Sequence, residues 1–264
     1  MLEKELIQSY LNFCNYRKKF NTDGEIDLSS EKWFYPTTLL PLGNFIHSNP
    51  SISYIPPSDN NVKKYLLLMI TGQVSEGASY IPILQRKVIT KEDSSMIYDL
   101  VSEKCNTNDK NTFMYFISEL AANVAEHSSC DNSLFMAQQY IKKRFTEIAF
   151  FDNGITIAGS LRRNGKGEDK SDQELIVEAI NGLSSKSEGS RGRGLGSSIN
   201  IIINLLKGEV FIASGKGVFY LSKDEEREYS YILNEEQELN GTLISFRIPF
   251  PVPKKSDIYK PGIL

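Results

Sequence analysis

Apolar positions fall in two textures along the chain, with the change between residues 85 and 110. In the first, Leu6, Ile7, Tyr10, Leu11 and Phe13 share a helix face, so the spacing predicts an opening helix over 2–20 that the polar turn Asn21 to Gly24 ends. A short strand is expected at Glu25-Ile-Asp-Leu-Ser, then Trp33-Phe-Tyr-Pro leads into the apolar Leu39-Leu40-Pro-Leu42. Ile52 to Ile55 and Tyr65 to Ile70 read as short strands or helices between proline, glycine and asparagine. Residues 1–95 are therefore expected to form a small α/β domain.

The second half, 96–264, alternates more clearly. Helices are expected over Lys110 to His127, Leu134 to Arg144, Gln173 to Ile180 and Ser197 to Leu206. Strands are expected at Glu147 to Phe151, Glu209 to Ala213, Val218 to Leu221, Tyr229 to Leu233 and Thr242 to Ile248. Helices leading into a largely antiparallel sheet imply a two-layer α/β sandwich rather than a βαβ dinucleotide fold.

Composition narrows the function classes. Thirty basic against thirty-three acidic side chains give a net charge of −3, so no overall field gathers nucleic acid or anionic lipid. No apolar run approaches the roughly 20 residues of a membrane span, and Met-Leu-Glu-Lys-Glu lacks the order of a signal peptide, so a cytoplasmic protein is expected. The cysteines Cys14, Cys105 and Cys130 form no C-x-x-C pair. His47 and His127 have no partners at zinc-ligand spacing.

Three segments carry candidate chemistry. On the Lys110 to His127 helix, Phe113, Phe116, Ile117, Leu120 and Val124 form the apolar stripe, and Glu119, Asn123 and His127 lie about 40° to 120° to one side of it. That row suits a solvated flank. A carboxylate and an amide one turn apart are also what a metal-bound phosphate site requires, the amide oxygen reaching Mg²⁺ and the carboxylate orienting a hydroxyl or water. The strand ending at Phe151 runs into Asp152-Asn153-Gly154, which serves as a turn, or as an acceptor for an exocyclic amine with Gly154 admitting a flat ring. Arg191-Gly-Arg-Gly-Leu-Gly-Ser-Ser198 precedes an apolar helix and offers a hinge or a backbone cradle for phosphate; it fits neither a Walker loop nor a Rossmann fingerprint.

In order and spacing, Glu119-Leu-Ala-Ala-Asn123, Asp152-Asn-Gly154, Gly192-Arg-Gly-Leu-Gly196 and Gly241-Thr242 resemble the N, G1, G2 and GT boxes of the GHKL superfamily, over about residues 110 to 250. The resemblance implies a Bergerat-type ATP-binding domain with a mixed, mostly antiparallel sheet, and ATP and Mg²⁺ as cofactors. It would make Glu119 the general base, Asn123 the Mg²⁺ ligand, and Asp152 with Gly154 and Thr242 the adenine side. Gly192, Arg193, Gly194, Leu195 and Gly196 would form the phosphate loop, and residues 162–191 a mobile lid from which Lys186 reaches a phosphate. One departure stands out: Thr156 occupies the position where the family often has a second glycine.

Within that superfamily the length leaves no room for transducer domains, and His47 lies where a helix end or loop is expected, which disfavours phosphorylation in cis. Residues 25–42 look like the strand, loop and helix start of a STAS domain, with Thr37 and Thr38 near its phosphoacceptor position. The expected activity is phosphoryl transfer by a regulatory ATPase or serine/threonine kinase of the anti-sigma type acting on a partner protein, with a possible homodimer through the amino-terminal half. The alternatives are an ATP-gated binding switch with slow or absent hydrolysis, and a sensor component acting in trans.

Overall fold

The computed structural model describes residues 4–73, 77–105, 107, 110–128, 133–183, 194–223 and 228–251, of which 123–128 by their backbone alone. Its amino-terminal part is α1 (Glu5–Asp23), β1 (Glu25–Asp27), α2 (Pro36–Ser48), β2 (Ser53–Ile55), α3 (Asn60–Thr71) and β3 (Tyr80–Arg86). Gly24 ends α1 in the left-handed conformation that a residue without Cβ adopts freely, donating its N–H to the Phe20 carbonyl. Asp59 starts α3 by accepting from the Asn61 and Val62 N–H groups.

There follow α4 (Lys91–Ser102), α5 (Lys110–Ser128), β4 (Ser133–Tyr140), β5 (Phe145–Asp152), α6 (Ile157–Arg163), α7 (Asp172–Ile180) and α8 (Leu195–Asn200). A π-helical turn, Ile201–Leu205, continues α8. The strands β6 (Glu209–Gly215), β7 (Gly217–Ser222), β8 (Tyr229–Ile232) and β9 (Leu239–Pro249) complete the described chain.

The protein is a mixed α/β structure built on a seven-stranded sheet of order β3-β4-β5-β9-β6-β7-β8, in which every neighbouring pair is antiparallel. A separate parallel pair joins β1 to β2. Side chains alternate across a strand, so one face of the sheet presents Ile148, Phe150, Ile212, Ile244 and Phe246 to the stripe Phe113, Phe116, Ile117 and Leu120 of α5. The other face presents Met136, Ala149, Phe151, Phe211 and Leu243 to Leu6, Tyr10 and Phe13 of α1 and Leu39, Leu40 and Leu42 of α2. Helices therefore cover both faces. The strand β3, which lies before residue 95, pairs with β4 in the same sheet.

One expected element has the other secondary structure. Of the segment from Leu134 to Arg144, read as a helix, residues 134–140 belong to β4 and pair residue by residue with β5, and 141–144 are the turn between the two strands. Its Phe135 and Ala137 enter one core while Met136 enters the other, and a strand buried on both faces shows a continuous apolar run with no period to distinguish it from a helix. Part of the expected lid is also firmly placed. Leu175 and Ile176 of α7 are fully buried, and Asp172 both accepts the Lys216 N–H at 2.8 Å and pairs with Arg162 at 2.8 Å.

Candidate functional site

The site begins where β5 ends. Asp152 is the last residue of an apolar strand, and its Oδ1 accepts the Gly154 N–H at 2.8 Å, closing the Asp-Asn-Gly turn. The residue is 1% exposed, yet Oδ2 is buried without a protein partner. Burial pushes the carboxyl pKa up to about 7, opposed by the Gly154 N–H.

The register places Asp152 opposite Thr242 of β9, and Thr242 opposite Ser214 of β6. All three lie on the α5 side of the sheet, following the alternation of Ile148, Ile244 and Ile212. A row of carboxylate and two hydroxyls thus crosses three adjacent strands. The hydroxyls of Ser214 and Thr242 are 2.9 Å apart, and Ser214 Oγ accepts the Ile157 N–H at 2.9 Å. Gly241 makes the close strand approach possible. Its φ is +108°, and a Cβ there would collide with the Asp152 carbonyl oxygen.

The departure at Thr156 has a local explanation. Its extended backbone starts α6, and its Oγ1 accepts the Gly159 N–H at 2.8 Å, so the hydroxyl caps a helix where a glycine would leave that donor unmet. The helix α6 is held against the row through the Ile157–Ser214 bond.

Among the remaining expected site residues, Glu119 is half-buried on α5, which packs on β5 and β9 and touches α6 and α8. Gly194 starts α8, Leu195 is buried in the α5-side core, and Gly196 lies so close to the Ile180 carbonyl that a Cβ would overlap it. The structure therefore joins Asp152, Gly154 and Thr242 directly, and brings the elements bearing Glu119, Gly194, Leu195 and Gly196 against the same core. The side chains of Asn123 and His127, and Lys186, Gly192, Arg193 and Cys130 altogether, lie outside the described residues. Among the described residues no group of three or more His, Cys, Asp or Glu is placed to hold a metal ion. No helix of the described chain is long and apolar enough to cross a membrane.

Ser214 escaped the sequence reading because Ala213-Ser214-Gly215 looks like any strand end; only its pairing with Thr242 reveals it. A second group was missed on the opposite face. There Glu147, Arg247 and Glu209 form another cross-strand row, with Arg247 donating to Glu147 at 2.8 Å, to Glu209 at 3.4 Å and to Glu5 of α1 at 2.6 Å. Glu147 Oε1 also accepts the Thr37 N–H at 2.9 Å and its hydroxyl at 2.8 Å, so a carboxylate from the sheet caps the start of α2. Thr37 and Thr38 are correspondingly buried, Thr38 donating to the Ser9 carbonyl, and neither hydroxyl is presented for phosphorylation.

Compared with models of protein families, with curated proteins and with solved structures, the chain matches none.

Proposed function

We propose that this chain binds ATP with Mg²⁺ on the α5 side of the sheet, as a GHKL-type regulatory protein with a Bergerat sandwich that acts as a kinase or ATPase on a partner protein. The observation that carries the reading is the unpartnered Oδ2 of buried Asp152 beside the Thr242 hydroxyl. A buried acceptor left unmet is unfavourable by about 1–3 kcal/mol, and an exocyclic amine is the donor that would relieve it. Adenine carries such an amine; hypoxanthine carries an oxygen in its place. The raised pKa adds that the same carboxyl can offer a proton to a ring nitrogen below neutral pH.

The donor set fits the implied metal only in type: Asn123 would supply an amide oxygen, a hard ligand suited to Mg²⁺. Bound Mg²⁺ would supply charge neutralisation for the phosphates. Glu119, one turn earlier on the same helix, is the candidate acceptor for the proton of an attacking hydroxyl or water.

Calorimetric titration with Mg-ATP and Mg-ITP tests the reading. Saturable binding of ATP, at least about tenfold weaker for ITP and for Asp152→Asn with ATP, is the expected result. Equal affinity for the two nucleotides, or no binding at millimolar concentration, would overturn it. Incubation with γ-labelled ATP then separates kinase, ATPase and switch: label on protein, free phosphate, or neither.

A further inference from the structure

A cavity with a volume of about 520 Å³ lies on the other side of the sheet, between α1 and the segment 31–38. That is the size of a small-molecule site and far larger than a metal ion needs. Its wall combines Glu5, Asn12, Tyr16, Glu31, Trp33 and Tyr35. Among the described residues no lysine or arginine lines it, so its polar character is carboxylate, amide and hydroxyl, with aromatic rings between.

The two carboxylates play different parts. Glu5 is engaged by Lys143 at 2.5 Å, by Arg247 at 2.6 Å and by the Tyr35 hydroxyl at 2.8 Å, and these cations hold its pKa down at about 2 against the opposing effect of burial. It fixes one wall. Glu31 sits across from the buried Tyr16, whose phenol is raised by burial and by that carboxylate, so Tyr16 stays a neutral donor. Trp33 is held in place by stacking on Tyr65 with ring centroids 4.7 Å apart and by an edge contact to Tyr140 at 6.0 Å, while remaining 42% exposed. Ordering an exposed indole in this way costs side-chain freedom, and its result is a rigid π surface beside a carboxylate.

We infer that this cavity is a binding site for a small organic cation, an amine or guanidine, held by the Glu31 carboxylate and the Trp33 ring with the Asn12 amide as a further hydrogen-bond partner. The Glu31 carboxylate and the negative face of the indole attract the same sign of charge, whereas at the Glu5 wall Lys143 and Arg247 already balance the carboxylate. An anion would meet the Glu31 carboxylate. A neutral diol would gain the hydrogen bonds without the charge. The site stands independently of the nucleotide reading, because its residues come from α1 and 31–38 and none is shared with Asp152, Thr242 or α5.

Trp33 is the sole tryptophan of the chain, so its emission reports on the cavity directly. The full chain is titrated with 1,4-diaminobutane, agmatine and tyramine, and in parallel with 1,4-butanediol and succinate. A saturable change with at least one of the cations, absent with diol and succinate and weakened at least about tenfold by Glu31→Gln, is expected. Circular dichroism verifies that the variant is folded; should it unfold, Trp33→Leu followed by calorimetry replaces it and weakens the same cation. Retained binding in Asp152→Asn separates this site from the nucleotide site. No saturation by any of the three cations, equal response to diol or succinate, or unchanged affinity in the folded variants would overturn the proposal.

Discussion

Replacing Arg247 by methionine is the sharpest test of how the amino-terminal helices are fastened to the sheet. Arg247 is 4% exposed and contacts three carboxylates, one of which, Glu147, is fully buried. Methionine keeps much of the stem and removes the charge. Glu147 would then keep its buried carboxyl without a cation, with the Thr37 N–H and hydroxyl and a longer contact from the Ser245 hydroxyl as donors. Breaking a buried pair by removing one partner is destabilising by about 3–5 kcal/mol, because the survivor keeps its desolvation penalty. Glu147→Gln in the same background removes that stranded charge while its amide oxygen still accepts from Thr37. The double variant should therefore be more stable than the sum of the two single losses implies, by at least about 2 kcal/mol. Urea unfolding followed by Trp33 emission measures all four corners of the cycle. A loss below about 1 kcal/mol for Arg247→Met, or additivity of the two changes within about 0.5 kcal/mol, would refute the reasoning.

Two further outcomes follow from particular contacts. The Asp152 pKa, raised by burial from 3.8 to about 7, means that the folded state holds this proton more tightly than the unfolded chain, so the wild type loses stability as pH rises from about 4 to 7 and levels off above. Asp152→Asn has no such titration; its stability relative to wild type should climb across that window, by up to about 4 kcal/mol, and parallel pH profiles of melting temperature would disprove the shift. Gly196→Ala drives a Cβ into the Ile180 carbonyl, backbone against backbone, and should destabilise by about 1–3 kcal/mol, read as a lowered urea midpoint; an unchanged midpoint would show that α7 and α8 separate freely.

Local pattern alone determined several features here. The stripe of α5 and the polar flank carrying Glu119 follow from a 3.6-residue period, and the strand ending at Asp152 follows from an apolar run closed by Asn-Gly. Gly24 and the turn after α1 are equally local. These features depend on residues within a few positions of one another, where steric and hydrogen-bonding preferences act before any tertiary contact forms.

Tertiary structure decided the rest. Whether Leu134 to Tyr140 is helix or strand depends on the partners β3 and β5, since burial on both faces erases the alternation that would have betrayed a strand. An amphipathic face on α1 or α2 states that something must cover it, and only packing shows that the cover is the sheet that carries Asp152 on its far side. The row Asp152–Thr242–Ser214 and the row Glu147–Arg247–Glu209 join residues up to 100 positions apart through strand register, and register is a property of pairing, not of any single segment.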